Sequence, residues 1–139
     1  DVNQRDFDAI FYPGGHGPMW DLANDTNSVK LIQSFYNNNK PTAFVCHGSA
    51  ALVNVKSADG NYLIANKKIT SFCNTEESAV HLTDVVPFSL ENKLKERGAF
   101  YKKGNDWSSF VIEDGLLVTG QNPQSSKEVA EKLLEKINK

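Results

Sequence analysis

The chain has 139 residues, 40% of them hydrophobic and 23% charged, enough for one domain that buries roughly 68–70% of its unfolded surface. That balance argues against disordered and fibrous classes. A net charge of -2 from 15 basic and 17 acidic residues, with no basic run carrying aromatic side chains, argues against a nucleic-acid partner.

The predicted elements alternate between strand and helix. Asp8-Ala-Ile-Phe-Tyr12 reads as a short strand ended by Pro13-Gly-Gly15. Val29, Ile32, Phe35 and Tyr36 then fall at helical spacing behind Ser28, a suitable N-cap. Pro41–Cys46 is a second strand, ended by His47-Gly48, after which Gly48–Val53 turns into a helix. Ser57–Gly60 reads as a surface turn, Lys68–Phe72 as a strand and Thr75–Leu82 as a short helix. Val86, Leu90 and Leu94 mark a helix ending at Gly98. Ser109–Ile112 and Leu116–Thr119 are strands joined by a hairpin turn at Glu113-Asp-Gly115. A last helix carries an apolar stripe at Val129, Ala130, Leu133, Leu134 and Ile137, with Ser125 and Glu128 spaced as a capping box. Apolar strands alternating with helices predict an α/β fold whose mostly parallel sheet is covered on both faces.

No apolar segment approaches the length of a membrane span, and the first twenty residues lack the order of a signal peptide. The expected location is therefore cytoplasmic, with no membrane partner. Cys46 and Cys73 are expected to stay reduced, a disulfide between them being the lesser alternative.

Cys46 ends a buried strand at a turn into a helix. The helix N-terminus there would favour a thiolate, as in the strained elbow that exposes a nucleophile. The plainer alternative is a buried apolar cysteine. His47 supplies an imidazole next to the thiol, although adjacent side chains usually diverge. The Pro13-Gly14-Gly15-His16-Gly17 loop offers unobstructed backbone N–H groups at the end of the neighbouring strand, suited to an oxyanion or to substrate, together with those of the Gly48 turn. A tight turn accounts for the glycines but not for His16. Glu76 and Glu77 follow the strand ending at Phe72, where a carboxylate would orient a histidine; an acidic first helical turn is the alternative. Cys73 and His81 read as packing residues. The three histidines show no ligand spacing, so no metal and no cofactor is expected.

Taken together, Tyr12–Leu22, Val45–Gly48, Lys68–Glu77 and Asp114–Pro123 resemble, in order and from about residue 7 onward, the PfpI-type superfamily. The nearest branch is that of glutathione-independent glyoxalases (glyoxalase III) and stress-inducible holding chaperones. The resemblance implies a flavodoxin-like α/β sandwich of the class I glutamine amidotransferase type. It implies a Cys46–His47–acid triad, with Glu77 the closest match and Glu76 the alternative, and backbone N–H groups around Gly14, Gly15, His16 and Gly48 for oxyanion and substrate. It implies a lyase of the D-lactate dehydratase type that converts methylglyoxal to lactate, with a small dicarbonyl substrate and a possible homodimer.

Two departures accompany the resemblance. Ser49 stands where the family has proline or alanine. The family also begins with a strand-helix-strand unit bearing a glutamate beside the nucleophile, which this chain does not show. Residues 1–139 are accordingly expected to be one α/β domain forming the C-terminal part of a longer family domain, with one sheet edge bare and a separate N-terminal polypeptide as a possible partner. The competing readings are a holding chaperone without catalysis, a cysteine peptidase or amidase, and a redox sensor in which Cys46 oxidises before Cys73.

Overall fold

The computed structural model describes residues 2–138. A four-stranded sheet runs in the order β1-β2-β6-β5, built from β1 (Ile10–Tyr12), β2 (Thr42–Val45), β5 (Val111–Asp114) and β6 (Leu117–Gly120). β1, β2 and β6 are parallel, with Phe11 opposite Ala43 and Ala43 opposite Val118, while β5 runs antiparallel to β6. A second, two-stranded parallel sheet pairs β3 (Lys68–Ile69) with β4 (Phe100–Tyr101).

Side chains alternate across the central strands, so the sheet separates two apolar clusters. Phe44 and Leu117 pack with Met19 of the short α1 (Pro18–Asp21) and with Ile32, Leu52, Ile64 and Leu94 on the face covered by α2 (Thr26–Asn37) and α4 (Leu90–Glu96). Ala43, Val45 and Val118 pack with Val129 and Leu133 of α5 (Ser126–Ile137) on the other. This is the predicted α/β sandwich with a mostly parallel sheet. Among the described residues, no helix is long and apolar enough to cross a membrane.

Several boundaries differ from the sequence expectation. The cap of α2 is Asp25, whose carboxylate accepts from the N–H groups of Asn27 and Ser28; the Ser28 hydroxyl is instead bonded to the buried Tyr12 hydroxyl at 2.8 Å. The 68–72 strand stops at Ile69 because Thr70 N–H turns to the Thr119 hydroxyl instead of a backbone carbonyl. Its partner β4 carried no sequence signal. The helix expected from Val86 starts at Leu90, behind Pro87 and under a Ser89 cap, since a residue before proline is pushed out of the α region; Gly98 does follow it at φ +94. The hairpin turn falls at Gly115-Leu116, so β5 begins and ends two residues later than expected. The capping box at Ser125 and Glu128 does not form: Ser125 bonds Phe110 and Asn122, and Glu128 accepts from Ser109. Leu134 lies outside the buried stripe at 58% exposed, and His81 is an exposed residue at the end of α3 (Asn74–Ala79), not a packed one.

Candidate active site

The carboxyl ends of β1 and β2 lie side by side, which brings the loop after Tyr12 against Cys46. Cys46 has φ +59, a left-handed conformation that is costly for a residue with a side chain and clusters at functional sites. A 3-10 helix, Cys46–Leu52, leads away from it. Gly48 is where the two chains touch: a Cβ there would lie 2.5 Å from the carbonyl oxygens of both Tyr12 and Pro13. Gly14 also passes close to the elbow, its Cβ position 3.0 Å from Cys46 Cβ.

At this elbow the adjacent side chains converge. Cys46 Sγ lies 3.4 Å from His47 Nδ1, and His47 Nε2 lies 2.7 Å from Glu77 Oε2. A carboxylate only accepts, so Nε2 carries the proton and Nδ1 is left to accept from the thiol. Glu77 comes from the first turn of α3, where the chain leaves β3 for the same edge. Its other oxygen, Oε1, accepts from His16 Nε2 at 2.8 Å. The two imidazoles that share this carboxylate lie against each other at a tilt of 35°, with centroids 3.8 Å apart. Phe72 lies 4.3 Å from the His47 ring, and Trp107 stands edge-on to Phe72 at 5.5 Å.

The neighbouring acid faces elsewhere. Glu76 is fully buried and accepts from the backbone N–H groups of Cys73 and Trp107 and from the Asn122 amide. The two carboxylates thus divide: Glu77 holds the imidazoles, and Glu76 holds the chain around them. Sequence reasoning placed His16 with the substrate groups and had no signal for its bond to Glu77 or for Phe72 and Trp107, which arrive from distant segments.

Burial sets the protonation state. The Cys46 thiol is pushed up to about 12 by burial, against the pull of the His47 and Gly15 backbone N–H groups. Burial also lowers the basicity of His47, opposed by its bond to Glu77. The resting pair is therefore a neutral thiol and a neutral imidazole, contrary to the thiolate expected from the helix terminus. The reason is that Cys46 is itself the first residue of a short 3-10 helix and only 4% exposed, so desolvation outweighs the helix field.

His16, His47 and Glu77 bring possible ligand atoms within 4.8 Å of one another, as do Cys73, Glu76 and Asp106. In the first group both imidazole Nε2 atoms are committed to hydrogen bonds of 2.7–2.8 Å. In the second, Glu76 is filled by its three backbone and amide donors. Hydrogen bonding accounts for both sets. Cys46 and Cys73 are both free thiols.

Comparison with known proteins follows the same outline. The chain is 44% identical to the Rapid Encystment Protein 24 kDa of Francisella tularensis, with a TM-score of 0.96 over 99% of this chain and 61% of that one. The crystal structure of glyoxalase III from Candida albicans matches at 30% identity and a TM-score of 0.91, covering 97% of this chain and 59% of that one. A glutathione-independent glyoxalase of Schizosaccharomyces pombe is 36% identical over 138 residues, 94% of this chain and 57% of that protein. The chain thus spans less than two thirds of the length of these relatives. The family described as DJ-1/PfpI matches residues 1–136, in agreement with the resemblance read from the motifs, and the chain belongs to that family.

Proposed function

We propose that this chain carries the nucleophilic centre of a glutathione-independent glyoxalase, an enzyme that turns 2-oxoaldehydes such as methylglyoxal into 2-hydroxy acids such as lactate. The observation that carries the proposal is the continuous hydrogen-bonded line from Cys46 Sγ through His47 to Glu77. The relatives named glyoxalases lend it the substrate class.

In this reading the Cys46 sulfur adds to the aldehyde carbon while His47 Nδ1 takes the thiol proton and passes it to the new alkoxide, giving a hemithioacetal. The N–H groups of Gly15 and His47 hold the developing oxyanion, with Gly14 and Gly48 providing the close backbone approach. A base then moves the proton of the former aldehyde carbon to the neighbouring carbonyl carbon, while the hemithioacetal hydroxyl proton passes to the former ketone oxygen. The product is a thioester of the 2-hydroxy acid, and water releases the acid and restores the thiol. Substrate plus one water equals product, and the oxidation of one carbon is balanced by reduction of the other. Glu77 keeps His47 in the tautomer whose Nδ1 is free to accept.

The family resemblance assigns the carbon-proton transfer to a glutamate on a preceding strand-helix-strand unit, and the edge of β1 away from β2 is where such a unit would pair. A cytoplasmic location and a homodimer belong to the same proposal.

Lactate formation from methylglyoxal, followed by NMR, tests the reading. Cys46→Ala is expected to abolish turnover, and a Cys46→Ala chain that still forms lactate at the parent rate would sink it. Suppression of client aggregation that survives this substitution, without lactate formation by the parent chain, would favour the holding-chaperone reading instead.

A further inference from the structure

A tryptophan beside the site is held in a backbone conformation its side chain does not favour. Trp107 has φ +60, an outlier for a bulky residue and a form of strain that clusters where ligands bind. Its N–H donates to Glu76 Oε2 at 2.8 Å, and the same oxygen accepts from the Asn122 amide at 2.8 Å. Because Glu76 is fully buried, the anchor beneath Trp107 is fixed. The indole it positions stands edge-on to Phe72, whose ring in turn lies 4.3 Å from His47 and 6.0 Å from His16. Phe72 and His47 are 4% and 1% exposed, whereas Trp107 is 37% exposed and the His16 side chain 31%. The two solvent-facing members lie at the ends of this aromatic row: His16 packs directly on the buried imidazole that faces the sulfur, and Trp107 packs on Phe72, which itself lies against that imidazole.

We propose that Trp107 forms the apolar wall that receives the substituent of a 2-oxoaldehyde held on Cys46, so that aryl substituents are preferred over methyl. The inference rests on the 2-oxoaldehyde reading given above. An aryl ring reaches the indole and makes the edge or face contacts that aromatic pairs favour, whereas a methyl group is too short to do so.

The test compares kcat/KM for phenylglyoxal with that for methylglyoxal in the parent chain, Trp107→Phe and Trp107→Gly. Glycine suits the left-handed backbone, so the loop keeps its path. The ratio of the two values is expected to fall about tenfold in Trp107→Gly and to stay within about threefold of the parent in Trp107→Phe. Equal ratios in the parent and Trp107→Gly overturn the proposal. A second arm needs no turnover. Trp20→Phe leaves Trp107 as the sole tryptophan of the two, and its emission is titrated with mandelate and with lactate, the acids derived from the two aldehydes. Mandelate is expected to half-saturate the change at a concentration about tenfold below lactate; equal concentrations, or no response to mandelate, overturn the wall. A parent chain that turns over neither aldehyde and forms no Cys46 adduct with methylglyoxal counts against the glyoxalase reading alone, and the mandelate titration then decides the role of Trp107.

Discussion

At Cys46 two influences oppose each other: backbone N–H groups that favour a thiolate, and burial that forbids it. Burial prevails, which makes the nucleophile dependent on His47 taking its proton during attack. Alkylation of Cys46 by iodoacetamide is therefore expected to be slow at neutral pH and to rise towards an inflection near 12, not near the ordinary thiol value of 9.0; a plateau already reached at pH 7 would contradict it. The same shift acts on stability. The unfolded chain loses the thiol proton first, so this contribution is fully present below pH 9 and is lost as pH rises from 9 towards 12. Glu77→Gln is expected to lower kcat by roughly 10²–10⁴-fold with less effect on KM, because the tautomer of His47 is no longer fixed. Ser49 is fully buried, and its hydroxyl has no hydrogen-bond partner among the described residues. Ser49→Ala is accordingly expected to stabilise the chain by about 1 kcal/mol in urea unfolding.

Elements converge on the site because each strand end is followed by a turn that only certain residues permit. Gly48→Ala would drive a methyl group into two carbonyl oxygens, and urea unfolding is expected to show a loss of about 1–3 kcal/mol. β1 and β2 were legible in the sequence because an apolar run that halts at Pro-Gly-Gly or Cys-His-Gly is a local signal. The last helix was legible from its stripe, although Leu134 was assigned to the wrong side. β4 was not legible: two residues, Phe100 and Tyr101, become a strand only through pairing with Lys68 and Ile69. The Ser125 box failed for a similar reason, since distant Phe110 competes for the hydroxyl that would cap α5. Within the site, the choice between Glu76 and Glu77 was open until their rotation around α3 was known. His16 stood out because no turn requires a histidine, yet its carboxylate partner lies 61 residues away. Trp107 gave no signal at all, because its place depends on a hydrogen bond to Glu76 that no local pattern encodes.

On the scale of the whole molecule, the central sheet divides two apolar clusters and sets the carboxyl ends of β1 and β2 next to each other, while the turn after β3 delivers Glu77 to the same place. Phe44 is fully buried at the middle of β2, so Phe44→Ala is expected to cost about 3–5 kcal/mol in stability, read as a lower urea midpoint with unchanged slope. The chain covers 61% of the first structural match and 57% of the fission-yeast glyoxalase, and attack by Cys46 is the step of the proposed mechanism to test on its residues. Peptide mass spectrometry of the chain, quenched during exposure to methylglyoxal, tests it most directly. The account predicts a covalent adduct on the peptide carrying Cys46 and none on that carrying Cys73. An adduct confined to Cys73, or lactate formation with Cys46 left unmodified throughout, would contradict it.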